Sequence, residues 1–130
     1  FQRALIKRIK KAFKPNKVVL IFGARRIGKT WLLKTLINDL KEPYILLNGE
    51  DAYTTELLSV RSIANYKRLM GKVKVLIIDE AQKIKDIGWI LKLMVDELDG
   101  IKIIATGSAA FDLANKMGEP LTGRKSSFQM

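Results

Sequence analysis

The sequence lacks cysteine and histidine altogether, and this absence narrows the chemistry that the chain can perform. Disulfides, zinc sites of the usual kind and nucleophilic catalysis by a cysteine–histidine pair are all excluded. No apolar run reaches the length that a membrane-spanning helix needs, and there is no internal repeat or low-complexity segment. Any chemistry must therefore come from carboxylates, lysine, arginine, hydroxyl groups and a bound cation.

Positive charge, by contrast, is in excess. The 130 residues include 24 lysines and arginines but only 13 acidic residues, which gives a net charge of +11 and a pI near 10.0. Such a balance is compatible with a nucleic acid, an anionic surface or an acidic partner, and it also occurs in ordinary soluble proteins. The length suits one domain, and a hydrophobic content of 48% is typical of a globular protein.

The most informative stretch is a glycine-rich turn between a strand pattern and a helix pattern. Residues 23–30 read GARRIGKT, follow the apolar run 18–22 and precede a helical pattern that extends to about Leu40. Strand, turn and helix in this order are the setting of the phosphate-binding loop G-x-x-x-x-G-K-[ST]. Glycine lets the backbone fold around an anion, so that N–H groups and the helix N-terminus point at a phosphate. Lys29 would offer a charge to the β- and γ-phosphates, and Thr30 a hydroxyl to Mg²⁺.

An apolar strand that ends in two acids is the second informative feature. Residues 73–78 are typical of a buried parallel strand, and Asp79 and Glu80 follow at its carboxyl end, where open α/β sheets bind ligands. The pattern matches Walker B, in which Asp79 holds Mg²⁺ through water and Glu80 polarises the attacking water. Alone the pattern is weak, but about fifty residues after Lys29 it favours nucleotide hydrolysis.

Two further polar positions are candidates that also have ordinary explanations. A strand pattern at 101–105 is followed by Thr106 and Ser108, where a hydroxyl can reach the γ-phosphate or the attacking water. Ser108 can equally cap a short helix at 109–116. Arg124 is a candidate charge for stabilising the transition state, in its own chain or in a neighbour, although a loop arginine is usually only solvated.

The remaining patterns predict the elements around these motifs. Trp31 and Trp89 are interpreted as packing residues and not as platforms for stacking bases. Further strands are predicted at 44–47 and in the last few residues, and one or two short helices at 52–72. Helix caps are predicted at Thr54 or Thr55, Gly71 and Asp86.

Residues 1–17 form a basic amphipathic segment. It holds seven basic side chains and no acidic one, and its apolar residues fall on one face of a helix that Pro15 ends. Such a helix could lie on a membrane, follow phosphates or resemble a targeting peptide. The interpretation favoured is that its apolar face packs on the domain and its basic face is solvated.

The chain resembles the prokaryotic AAA-type ATPases that are described as archaeal ATPases or ATP-binding AAA-domain proteins, within the P-loop NTPases that have a catalytic glutamate. The resemblance covers almost the whole chain and rests on GARRIGKTWLL (23–33), LNGED (47–51), VLIIDEAQKI (75–84) and IIATGSAAFDLANKMGEPLTGRK (103–125). It implies a three-layer α/β fold with a parallel sheet of strand order 5-1-4-3-2. It also implies that Thr106 or Ser108 is a polar sensor and that Gln82 couples the nucleotide state to neighbours.

The two motifs predict Mg²⁺-dependent binding and hydrolysis of a nucleotide. The resemblance implies that the nucleotide is ATP, and no guanine-reading N-K-x-D motif is present. Relatives continue into a helical lid and a C-terminal domain, so we expect residues 1–130 to be an ATPase core cut from a longer protein, with slow turnover. The alternatives are a nucleic-acid-binding module with nucleotide as a switch, and a folded fragment without activity. DNA at the basic surface and a second copy of the chain are open as partners; a membrane is not expected, and the expected location is cytoplasmic.

The expected site residues follow from the two motifs and the resemblance. The expected catalytic residues are Lys29, Glu80 and Arg124, and the expected metal ligands are Thr30 and Asp79. The residues expected to contact the nucleotide are Gly23, Ala24, Arg25, Arg26, Ile27, Gly28, Lys29, Thr30, Trp31, Thr106 and Ser108.

Overall fold

Strands and helices alternate along the chain, as the change between strand and helix periodicity predicts. The computed structural model describes residues 2–23, 26–107 and 120–130. The elements are α1 (Gln2–Ala12), β1 (Lys17–Phe22), α2 (Arg26–Asp39), β2 (Tyr44–Asn48), α3 (Ala52–Ser59), α4 (Ile63–Met70), β3 (Val75–Asp79), α5 (Ile87–Glu97), β4 (Lys102–Gly107) and β5 (Lys125–Gln129). None of the helices in these ranges is long and apolar enough to cross a membrane.

The five strands form one parallel sheet in the order β2-β3-β4-β1-β5. Read from β5 to β2, this order is the predicted 5-1-4-3-2, so the predicted α/β fold is confirmed. The central strands β1, β3 and β4 are runs of aliphatic residues because helices cover them on both faces. All five carboxyl ends therefore lie along one edge of the sheet, which we term the carboxyl edge; the opposite edge is the amino edge.

Side chains alternate between the two faces of the sheet and build a core on each. The core under α1 and α2 contains strand residues Val19, Ile21, Val75, Ile77, Ile104 and Phe128. The core under α3, α4 and α5 contains strand residues Val18, Leu20, Leu76, Ile78, Ile103 and Ala105. The result is a three-layer arrangement in which the sheet is the middle layer.

Helix α1 lies against α2 and the sheet through its apolar face. Leu5, Ile6 and Ile9 belong to the same buried cluster as residues of α2 and of four strands. The guanidinium of Arg8 also lies 5.4 Å from the centre of the Phe128 ring, on β5. Burial of the apolar face leaves the basic side chains of α1 at the surface.

Asn16, between α1 and β1, attaches the amino edge of the sheet to the end of α5. Its side-chain amide donates to the carbonyls of Val95 at 2.7 Å and Leu98 at 2.9 Å. Its Oδ1 accepts from the N–H of Gly100 at 3.2 Å, and its own N–H donates to the carbonyl of Ile101. The residue has φ of 60°, a left-handed conformation that asparagine tolerates better than most side chains.

Several predicted details of the helices differ in the structure. Helix α3 starts earlier than predicted, so Asp51 is its cap and accepts a hydrogen bond from the N–H of Tyr53. Asp86 is the N-cap of α5, as predicted, but its backbone is left-handed, with φ of 57°, and its side chain makes no capping hydrogen bond. Gly71 ends α4 with φ of 56°, as predicted.

The two tryptophans do not pack as predicted. Trp31 is 46% exposed and Trp89 is 51% exposed. Each stands beside the apolar stripe of its helix, where a side chain points away from the sheet and toward solvent.

Candidate nucleotide-binding site

The parallel register brings both sequence motifs to the carboxyl edge of the sheet. Phe22 at the end of β1 pairs with Gly107 at the end of β4, and Asp79 at the end of β3 pairs with Asn48 of β2. The glycine-rich turn therefore begins at the same edge as the two acids, with β4 between its strand and β3. Helix α2 begins at Arg26, which places Lys29 and Thr30 in its opening turns.

Lys29 and Glu80 form a buried ion pair at the centre of this edge. The Nζ of Lys29 lies 2.8 Å from Oε1 of Glu80, and the two side chains are only 2% and 5% exposed. A lysine and a glutamate are seldom buried so completely unless each has a partner of opposite charge. The ion pair joins the first helix turn after the loop to the carboxyl end of β3.

The Glu80 side chain is held from a second direction by Gln82. The Nε2 of Gln82 donates to Oε2 of Glu80 at 2.7 Å, and Gln82 is 5% exposed. This contact is possible because the chain turns sharply after β3: Glu80 has φ of 51° and ψ of 47°, and a short 3₁₀ helix, Ala81–Lys83, follows. The two carboxylate oxygens of Glu80 thus accept from different donors.

Gly49 allows the turn after β2 to lie directly on the backbone of Glu80. Its N–H donates to the carbonyl of Asp79 at 2.7 Å. A Cβ at this position would lie 2.1 Å from the carbonyl oxygen of Glu80, well inside the distance that any side chain tolerates. Only glycine fits here, and the reason is close approach, because no positive φ is involved.

Thr106, at the tip of β4, ties the ends of β3 and β4 together. It is fully buried, and its hydroxyl donates to Oδ1 of Asp79. The N–H of Glu80 lies 3.1 Å from the same Oδ1 and 3.2 Å from the Thr106 hydroxyl oxygen. Thr106 therefore fixes the carboxylate of Asp79 and the backbone of Glu80 together.

A cavity of about 510 Å³ opens beside this cluster, between α2 and the end of β2. Thr30 and Asp79 both line it, together with Asn48, Asp51 and the apolar side chain of Leu46. A hydroxyl and a carboxylate are hard oxygen donors of the kind that Mg²⁺ prefers. The donor chemistry of these two residues thus fits the predicted metal.

The other predicted nucleotide contacts differ in how far the structure describes them. Gly23 directly follows β1, and its N–H donates to the carbonyl of Gly107 at 3.2 Å. Arg26, Ile27 and Gly28 lie in α2, and Trp31 follows with an exposed side chain. Three predicted contacts, Ala24, Arg25 and Ser108, lie outside the described residues, as does the predicted helix 109–116.

Arg124 does not lie at the carboxyl edge. It immediately precedes β5, whose first residue, Lys125, pairs with Val18 near the start of β1. The loop follows the far end of the same strand, about 15–20 Å away for a strand of this length. A role for Arg124 in the site of its own chain does not fit this placement. Its role in a neighbour's site stays a prediction.

At the amino edge Arg124 instead binds Asp96 of α5. Its Nε donates to Oδ1 of Asp96 at 2.6 Å, and Lys92 donates to the other oxygen at 3.1 Å. The hydrogen bond from Arg124 is the main cause that holds the pKa of Asp96 below its ordinary value of 3.8, and the bond from Lys92 adds to it.

The sequence interpretation missed two contacts of the site. Gly49 occurs in a segment noted for its resemblance, but its approach to Glu80 depends on the packing of β2 beside β3. The resemblance assigned Gln82 to communication with neighbours, whereas the structure places its amide on Glu80. A glycine directly after a strand that neighbours the acidic strand is the signal that would have identified the first contact.

The sheet order, together with a glycine-rich turn between β1 and α2, defines a P-loop NTPase fold, and solved structures of this class share it. The Walker-type ATPase of Pyrococcus abyssi superposes with a TM-score of 0.61 and 20% identity, over 98% of this chain and 52% of that one. DnaI gives a TM-score of 0.64 and 17% identity, over 98% of this chain and 79% of that one.

Within this class, the chain can also be placed in a family. The family model described as AAA domain matches residues 15–130, and the chain belongs to that family. An uncharacterized protein of Methanocaldococcus jannaschii is 32% identical over 120 residues, which cover 85% of this chain. The matched region is 25% of that relative, so the chain spans about a quarter of its length, and about half the length of the Pyrococcus ATPase.

Proposed function

We propose that the chain binds ATP together with Mg²⁺ and hydrolyses the bond between the β- and γ-phosphates. The observation that carries the proposal is the convergence of Lys29, Thr30, Asp79 and Glu80 at the carboxyl edge, beside a glycine-rich turn of the phosphate-binding pattern. Membership of the AAA domain family supports it, as does the similarity to an ATPase of Pyrococcus abyssi.

Each of the four side chains has a distinct proposed role. Lys29 balances the charge on the phosphate oxygens, helped by the backbone N–H groups of the loop. The Thr30 hydroxyl and the Asp79 carboxylate hold Mg²⁺, which when bound neutralises charge on the β- and γ-phosphates. The hydroxyl of Thr106 keeps Asp79 in place through its bond to Oδ1.

Glu80 is the residue proposed to act on water. Its carboxylate orients a water molecule and accepts a proton from it as the water oxygen bonds to the γ-phosphorus. The bond from that phosphorus to the β-phosphate oxygen breaks, and the products are ADP and inorganic phosphate.

Calorimetric titration with ATP and Mg²⁺, combined with a phosphate-release assay, tests these roles. We expect Lys29→Ala to weaken ATP binding by about 100-fold or more, because charge-assisted bonds to the phosphates are lost. Glu80→Gln should bind ATP at least as tightly as the unsubstituted chain and lose hydrolysis. Lys67→Ala, an exposed lysine on α4, is the matched control and should change neither quantity. Unchanged ATP affinity in a folded Lys29 variant would show that the site assignment is wrong.

The surface of α1 favours a second candidate function, in which the chain binds nucleic acid and the nucleotide acts as a switch. The apolar face of α1 is buried, and all five of its basic residues are exposed: Arg3, Lys7, Arg8, Lys10 and Lys11. Arg3, Lys7 and Lys10 line a surface groove of about 530 Å³ beside α2. Among the described residues that line the groove, Asp39 is the one acid, and it is paired with Lys10.

Affinity for duplex DNA at about 50 mM and about 200 mM salt tests this second function, since each neutralised phosphate adds about 0.9 to the salt slope. Replacing Arg3 and Lys7 by glutamine should lower the slope by about 2. Replacing Lys67 and Lys72 by glutamine removes the same charge from the opposite side of the sheet and should leave it unchanged. Absence of binding at the lower salt concentration would exclude the function.

A further inference from the structure

The carboxylate of Glu80 accepts hydrogen bonds from two buried side chains, Lys29 and Gln82. We expect ATP to displace the first contact and to leave the second in place. Oε1 accepts from Lys29 at 2.8 Å and Oε2 accepts from Gln82 at 2.7 Å. All three side chains are at least nine-tenths buried. Lys29 is the residue that the proposed ATPase function also assigns to the phosphates, whereas Gln82 has no other proposed task.

Nucleotide phosphates compete with Oε1 of Glu80 for the ammonium of Lys29. A triphosphate carries more negative charge than one carboxylate, so the ammonium moves toward it when ATP binds. Oε1 then loses its bond to Lys29 and faces the phosphates. In that position it can accept a hydrogen bond from the attacking water. The ion pair thus couples the arrival of the phosphates to the release of the group that acts on water.

The same event leaves a buried carboxylate that has lost a cationic partner. Loss of this partner is unfavourable for a buried carboxylate, and a glutamate can rotate about its side-chain bonds to reduce the loss. The amide of Gln82 opposes that rotation because it holds Oε2 from the side of the 3₁₀ turn. Gly49 keeps the Glu80 backbone in place from the other side.

We propose that Gln82 is the positioning residue for Glu80. Its Nε2 donates to Oε2, so the carboxylate keeps its orientation while Oε1 loses its bond to Lys29 and accepts one from the attacking water. The inference rests on the proposed ATPase function and adds to it a residue that does not touch the nucleotide. It also states that Gln82 acts on the chemical step and contributes nothing to ATP affinity.

The test compares kcat and ATP affinity in Gln82→Met, which keeps the length of the side chain and removes its donor. We expect kcat to fall by about 10- to 100-fold, as for a misplaced catalytic group, and the affinity for ATP to stay within about twofold. Gln129→Met, the same change at an exposed position on β5, is the control and should be neutral. Gln82→Asn gives a second variant, whose amide is one methylene too short to reach Oε2, and should lose kcat similarly.

A double variant separates positioning from a structural role. In a Glu80→Gln background the Gln82→Met change should have no further effect on the residual rate if Gln82 acts through the carboxylate. A full additional loss there, or an unchanged kcat in Gln82→Met alone, would overturn the proposal while leaving the ATPase assignment intact. If instead Glu80→Gln hydrolyses ATP like the unsubstituted chain, the ATPase assignment itself is wrong.

Discussion

The carboxyl and amino edges of the sheet both hold polar networks, but the two networks are built from different groups. At the carboxyl edge, charged side chains bind one another out of contact with solvent, as Lys29 and Glu80 do. At the amino edge, the amide of Asn16 binds backbone groups, and the ion pair of Arg124 with Asp96 is about one-third exposed. The first arrangement is a poor way to gain stability, whereas the second satisfies backbone groups that would otherwise be left unpaired.

The difference indicates which edge serves chemistry and which serves the fold. A buried ion pair often stabilises a protein no more than apolar residues of the same volume, so its presence calls for another explanation. The proposed reaction with phosphates and water supplies one at the carboxyl edge. Substitutions at the amino edge should therefore lower the free energy of unfolding and leave kcat unchanged. Substitutions at the carboxyl edge should lower kcat, either alone or together with the free energy of unfolding.

The largest expected effect is that of Gly49→Ala, which disturbs the carboxyl edge without removing any functional group. Its Cβ would lie 2.1 Å from the carbonyl oxygen of Glu80, so the β2 turn and Glu80 must separate. We expect a fall in kcat of about 100-fold, because displacement of a catalytic group by about 1 Å has that effect. Overpacking should also lower the free energy of unfolding by about 3 kcal/mol in urea titration.

Gly71→Ala provides the matched control for this prediction. Gly71 has φ of 56° but open space around its missing Cβ, so alanine there is strained and meets no neighbour. It should reduce stability by about 1–3 kcal/mol and leave kcat unchanged. Equal kcat in the Gly49 and Gly71 variants would show that the close approach at Gly49 has no bearing on Glu80.

Asn16→Ala should have the next largest effect, and only on stability. Three side-chain hydrogen bonds to α5 and its C-terminal turn are lost, which predicts a decrease of about 2–3 kcal/mol in the free energy of unfolding. Asn16→Gly loses the same bonds but tolerates φ of 60°, and should be about 1 kcal/mol less destabilised than the alanine variant. A change in ATP affinity in the folded variants would break the proposed separation between the two edges.

The smallest expected effect is that of Arg124→Gln, which depends on pH. Arg124 lowers the folded-state pKa of Asp96 below 3.8, so the ionised carboxylate adds stability above the unfolded pKa. This contribution is lost as pH falls through the lowered pKa. We expect the variant to be about 0.5 kcal/mol less stable at neutral pH, a partly exposed pair being worth little, and the difference to vanish in strong acid. A difference that persists there would mean that Arg124 acts through packing.

Much of the architecture follows from local sequence patterns, because the relevant signals are short and physically constrained. The aliphatic runs before Gly23 and Asp79 require buried parallel strands, and the glycine-rich turn requires a helix after it. Strand direction then puts Lys29 and Glu80 at one edge without further information. The family resemblance supplied the strand order, which periodicity alone does not contain.

The features that were not predicted depend on backbone conformation or on packing between distant segments. Glu80 and Asp86 have left-handed backbones. At Glu80 this conformation brings Gln82 back to the carboxylate, and at Asp86 it leaves the N-cap side chain without a capping hydrogen bond. Arg124 follows a loop of low sequence information, and only the register of β5 against β1 shows that it lies at the amino edge. Exposure of Trp31 and Trp89 likewise depends on which side of each helix faces the sheet.

The strand order also determines how the chain can reach this structure. β1 pairs with β4, which begins more than eighty residues later, and with β5, which begins more than one hundred residues later. The β2–β3 pair needs a far shorter loop and can form first. Contacts of such long range slow folding. Until they form, the apolar strand that precedes the glycine-rich turn is open to association with other chains. On a ribosome, β1 and the turn after it are made before both of their partner strands, and they become structured only when those strands arrive.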